Sequence, residues 1–246
     1  MICSQISHLS GTVSDPSLIQ KLQPETQSDF ITIISKGIFM KLIGFYNYTV
    51  WLTYAGAAAA ICGVFFSASG HPFWGVMCLL FAGATDMFDG KVASTMKRND
   101  AEKNFGIQID SLCDLISFGV LPIAIGYGIG LSGGFFYISA VLYLICAIIR
   151  LAYFNVDEIM RQQKETGRRK TYYGLPVTAA AMIFPLIFGL KNLFGNALLP
   201  VYQIVLYAVA AAFILKFKLR KPHGAALWII LALGLAVAVL VITAGL

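Results

Sequence analysis

Two pairs of aspartates stand in an otherwise apolar stretch of this 246-residue chain, Asp86 with Asp89 and Asp110 with Asp114. Membrane-embedded helices almost never carry carboxylates without a functional reason. The spacings are i,i+3 and i,i+4, so on helices each pair presents both carboxylates on one face. The two pairs can therefore face one cleft. Unpaired, each carboxylate would cost on the order of several kcal/mol, so they must be protonated, line a water-filled cavity or share divalent cations. Oxygen donors with no His or Cys beside them favour Mg²⁺ or Mn²⁺ over zinc, and Mg²⁺ typically joins a few carboxylates to substrate phosphates. A phosphorylated substrate fits such a site. Gly90 after Asp89, Ala93 on the next turn and Gly106 one turn before Asp110 clear side chains from around the carboxylates, which lets a bulky ligand approach the backbone. Small residues also let membrane helices pack closely; their placement beside four aspartates favours the ligand.

The elements that position these residues follow from composition. At 58% hydrophobic and 12% charged residues, with mean hydropathy +0.77, the chain is a polytopic membrane protein rather than a soluble domain. With roughly 20 apolar residues per span, about seven transmembrane helices are predicted, at 47–68, 72–96, 104–130, 133–155, 175–190, 198–216 and 224–245. Rise per residue puts Asp86 and Asp89 roughly 16 and 12 Å below the Lys97-Arg98 end, and Asp110 and Asp114 roughly 9 and 15 Å below Asn104. The pairs reach similar depths on adjacent helices.

Basic residues fall at the N-terminal flank (Lys21, Lys36, Lys41) and in loops Lys91 to Lys103, Arg150 to Lys170 and Lys216 to Lys221, with Lys191 alone on the other side. The positive-inside rule places the N-terminus, these loops and both carboxylate pairs at the cytosolic face of the cytoplasmic membrane, and Leu246 outside. The net charge of +6 then reads as a lipid-facing inner-leaflet feature rather than a nucleic-acid footprint. Residues 1–28 read as a polar cytosolic segment with no secretory signal. Residues 29–46, apolar but broken by Lys36 and Lys41, suit an interfacial amphipathic helix better than an eighth span; 47–246 form the transmembrane catalytic domain. Cys3, Cys62, Cys78, Cys113 and Cys146 lack CxxC spacing and read as small hydrophobes, with no disulfide and no zinc expected. Ser111 and Ser117 flank the aspartates, but a lone membrane serine more often bonds its own helix backbone.

Read together, Asp86-x2-Asp89-Gly90-x2-Ala93-Ser94-x11-Gly106-x3-Asp110-x3-Asp114 resembles the signature of the CDP-alcohol phosphotransferases, DxxDGxxAR followed by GxxxDxxxD. Residues 105–122 (FGIQIDSLCDLISFGVLP), 150–156 (RLAYFNV) and 172–181 (YYGLPVTAAA) look like segments of bacterial phosphatidylserine synthases, and the likeness covers roughly residues 45 to 190. Asn47 and Thr49 resemble the family's Asn-x-x-Thr opening with shifted spacing. There are two departures: Ser94 stands where the family carries arginine, and eleven residues rather than eight separate it from Gly106. A longer loop costs little in closure entropy, whereas a hydroxyl cannot replace a bidentate guanidinium. Lys91, Lys97 or Arg98 are the available substitutes.

The resemblance implies an all-α fold with a six-helix core, a homodimer, and Mg²⁺ or Mn²⁺ held by Asp86, Asp89, Asp110 and Asp114. It implies transfer of a phosphatidyl group from CDP-diacylglycerol to the hydroxyl of L-serine with release of CMP, Asp114 taking the proton. Gly90, Ala93, Ser94 and Gly106 are its CDP-binding positions. Serine's carboxylate needs a cationic clamp, for which Arg150 with Asn155 is the first candidate and Arg168, Arg169 and Lys170 the second. Glycerol 3-phosphate and inositol phosphate are alternative acceptors. Intramembrane prenyltransferases also hold diphosphates with aspartates and Mg²⁺, but their motifs lack the adjacent glycine and the GxxxDxxxD half. A divalent-cation transporter would need acidic residues along a path across the bilayer, and the external halves of the spans carry none.

Overall fold

The computed structural model describes residues 44, 48–93, 99–164, 171–220 and 225–245. Contacts divide the chain into Met1–Gly44 and Phe45–Leu246. Of the first unit only Gly44 is described, so the segment 1–28 and nearly all of the expected interfacial helix 29–46 lie outside the described residues. Every described helix and strand belongs to the second unit.

Helix α1, Tyr48–Ala68, and helix α2, Pro72–Ala93, form an antiparallel pair. The turn between them is set by Gly70 at φ +81°. Its N–H donates to the Ser67 carbonyl at 3.1 Å and that of His71 to Phe66 at 2.9 Å, the two bonds of a glycine-terminated helix end. Pro72 then starts α2 at a position whose amide would have no helical partner. Close approach along the pair depends on missing side chains: a Cβ on Gly56 would meet Thr85 Oγ1 at 2.5 Å, and one on Gly63 would meet Cys78 at 2.8 Å.

Helix α3, Asp100–Asp114, starts four residues before the apolar stretch that predicts it. The reason is a capping box. Asn99 accepts from the Glu102 amide at 2.8 Å and the Glu102 carboxylate accepts from the Asn99 amide at 2.9 Å, so two otherwise orphaned donors are satisfied before hydropathy becomes high. The helix widens into a π segment, Leu115–Val120, and continues as α4, Leu121–Gly128. Helix α5, Gly134–Lys164, is 31 residues long, roughly 46 Å against a hydrocarbon core of about 30 Å, so its polar C-terminal turns extend beyond the expected span.

A 3₁₀ turn, Val177–Ala179, leads into α6, Ala180–Gly189; the short α7, Lys191–Phe194, precedes α8, Leu198–Ile214, and α9, Ala225–Gly245, ends the described chain. Rings from three helices form the centre of the core. Tyr143 packs edge-on against Phe184 at 5.7 Å and tilted against Phe213 at 5.4 Å, while Phe184 meets Tyr202 at 5.1 Å. Outward-facing residues such as Phe65, Ile204 and Val239 are exposed and apolar, as a lipid-facing surface requires.

Helices thus occupy all seven predicted stretches, and the chain is an all-α polytopic membrane protein. Val50–Ala68, Asp100–Gly128, Gly134–Met160 and Lys191–Ile214 are each long and apolar enough to cross a membrane, and Val177–Gly189 and Ile229–Gly245 are shorter apolar helices. One feature was not expected. Strands β1, Thr171–Tyr173, and β2, Lys218–Arg220, pair antiparallel with Tyr172 opposite Leu219, joining two basic segments that hydropathy reads only as loops. Gly174, at φ +75°, follows β1 and donates to the Phe217 carbonyl at 2.8 Å; a Cβ there would meet the Leu215 carbonyl at 2.9 Å.

Candidate active site

The carboxylates of α2 and α3 converge. One carboxylate oxygen each from Asp86, Asp110 and Asp114 lies within 4.8 Å of the other two, joining positions 24 and 28 residues apart in sequence (110 − 86; 114 − 86). The i,i+4 pair of α3 thus meets the first aspartate of α2. Asp89, one turn further along α2, is buried and accepts a hydrogen bond from Thr53 Oγ1 of α1 at 3.1 Å; it also lines one cavity with Asp86 and Asp114. All four predicted ligands therefore belong to one cluster, with three closest together and the fourth held by α1.

A small cavity opens beside them, lined by Thr53, Gly56, Thr85, Asp86, Asp89 and Asp114, with Ser117 and Phe118 of the π segment also lining it. Thr85 also lines it, yet its hydroxyl donates to Ala82 of its own helix at 2.8 Å. Thr53 alone of the two donates to a carboxylate.

The donor set fits a divalent metal. Oxygens on one octahedral ion with bonds of about 2.1 Å stand at most about 4.2 Å apart, so separations of up to 4.8 Å close with small side-chain rotations. The all-carboxylate chemistry selects a hard cation. Bringing Asp89, which is buried, and the half-buried Asp86, Asp110 and Asp114 to one site sets like charges against one another, and a cation would offset that repulsion.

Around this centre the other predicted residues fall in different places. Gly90 and Ala93 continue α2 to its last turn, and Gly106 lies on α3 one turn before Asp110. Ser94 lies outside the described residues, as do Arg168, Arg169 and Lys170. Asn155 of α5 is buried; its Oδ1 accepts from Ser111 Oγ at 2.7 Å and its Nδ2 donates to Gln108 Oε1 at 3.3 Å. Those two α3 residues bracket Asp110. Ser111 thus bonds across helices rather than to its own backbone, which corrects the expectation for it, because Asn155 offers a buried acceptor on the facing helix. Arg150 is also buried, and its Nε donates to the Leu175 carbonyl at 3.0 Å, tying α5 to the turn after β1. Thr53 and Gln108 carried no signal as single residues; Gln108 was visible only as the i,i+3 neighbour of Ser111 on α3.

A family model described as CDP-alcohol phosphatidyltransferase matches residues 46–240. The chain belongs to this family. Its members are generally dependent on divalent metal, in keeping with the aspartate cluster between α2 and α3. Curated relatives include CDP-diacylglycerol--serine O-phosphatidyltransferase of Saccharomyces cerevisiae, 33% identical over 46% of this chain and 41% of the yeast protein. The Bacillus subtilis protein of the same name is 26% identical over 66% of this chain and 84% of its own length. Archaetidylserine synthase of Methanothermobacter thermautotrophicus is 34% identical over 53% of each. Apart from the Bacillus protein, the chain spans about half the length of the curated relatives it matches.

Proposed function

We propose that this CDP-alcohol phosphatidyltransferase moves the phosphatidyl group of CDP-diacylglycerol to the hydroxyl of L-serine, giving phosphatidylserine and CMP. The observation that carries the reading is the gathering of α2 and α3 carboxylates at one site, Asp86, Asp110 and Asp114 mutually close and Asp89 lining the same cavity as Asp86 and Asp114; the relatives named for serine transfer, from a yeast, a bacillus and other organisms, supply the acceptor. The site faces the cytosol of the cytoplasmic membrane, and the active form is a homodimer.

Asp86, Asp89, Asp110 and Asp114 hold the metal, Mg²⁺ or Mn²⁺. When bound, the ion supplies positive charge against the diphosphate of the donor and the leaving CMP. Gly90, Ala93 and Gly106 let the cytidine diphosphate approach the backbone of α2 and α3, and Ser94 stands in the position of the family arginine. The serine oxygen forms a new bond to the phosphorus that carries diacylglycerol, the bond from that phosphorus to the bridging oxygen of CMP breaks, and CMP leaves with the electron pair. Asp114 takes the hydroxyl proton, which a neutral alcohol must lose to complete the attack. Thr53 keeps Asp89 oriented toward the cluster. Arg150 receives the carboxylate of serine, with Asn155 beside it on α5. The acyl chains remain in the bilayer throughout.

The test is CMP release by purified protein given CDP-diacylglycerol, Mn²⁺ or Mg²⁺ and a panel of alcohols. Release with serine and formation of phosphatidylserine is expected. Transfer to glycerol 3-phosphate or inositol phosphate with none to serine discards the serine reading while keeping the reaction class.

A further inference from the structure

Asp114 is the last residue of α3, and the π segment Leu115–Val120 begins directly after it. In that segment the Leu121 amide reaches back five residues, to the Ile116 carbonyl. Pro122 follows. A proline has no N–H, so the carbonyl four residues earlier, that of Phe118, loses its ordinary helical donor, and the ring crowds the same carbonyl. An inserted π turn absorbs such crowding and recurs at functional sites.

The Phe118 carbonyl is nevertheless satisfied. Tyr143 of α5 donates its hydroxyl to it at 2.7 Å. Tyr143 is fully buried, and its ring is fixed edge-on by Phe184 and tilted by Phe213, so the hydroxyl arrives in one direction. Phe118 and Ser117 line the cavity that Asp114 and Asp86 also line. We propose that Tyr143 is a positioning residue for the carboxylate cluster, its hydroxyl fixing the π turn that sets where Asp114 stands against Asp86 and Asp110. This inference rests on the reading of that cluster as a divalent-metal site.

The fold contains a matched control. Tyr202 of α8 is likewise fully buried, packs on the same Phe184, and donates at 2.7 Å to a carbonyl of the same helix. Its acceptor is Pro122, which is not among the residues lining the cavity. Tyr143→Phe and Tyr202→Phe each remove one buried oxygen and keep the ring. A merely structural role would make them alike; a positioning role separates them.

The experiment is direct Mn²⁺ binding to the purified full chain without substrate, read from the electron paramagnetic resonance of free Mn²⁺, with thermal stability and CMP release recorded alongside. Groups that orient metal ligands typically contribute roughly 10- to 100-fold in affinity; Tyr143 acts through one backbone turn, so Tyr143→Phe should weaken binding about tenfold and lower kcat, at the bottom of that range. Tyr202→Phe should stay within about twofold even where its melting temperature falls equally. Equal Mn²⁺ affinities in the two variants overturn the positioning role. Asp86→Asn is the reference: unchanged Mn²⁺ binding there overturns the metal site itself, and the Tyr143 role with it. If Tyr143→Phe alone is not recovered folded, Pro122→Ala and the Pro122→Ala/Tyr143→Phe double variant carry the test. The alanine restores an N–H four residues after Phe118, so loss of the hydroxyl should then change Mn²⁺ binding by less than about threefold. An undiminished loss in that background also overturns the proposal.

Discussion

Thr53→Val deletes a hydroxyl that α1 offers to the cluster while nearly conserving side-chain shape. Thr53 Oγ1 donates to Asp89 Oδ2 at 3.1 Å, a bond from a neutral donor to a charged acceptor, a class that contributes about 1.5–3 kcal/mol. Asp89 is buried, but Thr53 is only half-buried and borders the cavity, so water can replace part of the lost bond and the lower end of the range applies. About 1.5 kcal/mol corresponds to roughly a twelvefold loss in kcat/KM if the bond persists in the transition state. The assay is CMP release at subsaturating CDP-diacylglycerol and saturating Mn²⁺. Thr85→Val is the control, since that hydroxyl borders the same cavity but donates to Ala82 of its own helix; it should stay within about threefold, a loss below about 0.7 kcal/mol. A Thr53→Val protein with wild-type kcat/KM, or one no worse than Thr85→Val, refutes the assignment of Thr53 as the residue that orients Asp89.

If Asp114 chiefly accepts the serine proton, Asp114→Asn should lose most of kcat while retaining CDP-diacylglycerol binding; a parallel loss of donor binding would make it an essential ligand instead. Arg150→Lys should raise the apparent KM for serine more than that for CDP-diacylglycerol, because an ammonium cannot both keep the bond to the Leu175 carbonyl and present a fork to a carboxylate. Equal changes in both constants would move Arg150 to the diphosphate.

Much of this arrangement is legible in the sequence because two periodicities coincide with hydropathy. The apolar stretches locate the helices, and the i,i+3 and i,i+4 spacings place each aspartate pair on one helix face. The start of α3 was missed because hydropathy registers apolar residues, whereas the Asn99–Glu102 box that starts the helix is polar; its Asn-x-x-Glu pattern was readable in capping terms. The β1–β2 ladder was not readable, since three-residue strands show no usable alternation. Nor does spacing reveal that Asp86, rather than Asp89, completes the mutually close trio with Asp110 and Asp114. That depends on helix rotation and on the π segment, whose sequence trace is Pro122 eight residues after Asp114. Asn155 shows a related limit: its residue type suggested an acceptor contact, while its hydrogen bonds to Ser111 and Gln108 of α3 are a matter of helix packing that spacing does not reveal.

The central claim is that the aspartates of α2 and α3 form one divalent-metal site that drives transfer from a CDP-linked lipid. Its most direct test is Mn²⁺-dependent CMP formation from CDP-diacylglycerol and serine by wild-type protein and Asp110→Asn, measured side by side with Mn²⁺ binding to each. CMP release that requires the metal is expected in the wild type, and loss of both turnover and tight Mn²⁺ binding in the variant. Wild-type CMP release by Asp110→Asn, or turnover in the wild type that persists after metal is removed by chelation, would contradict it.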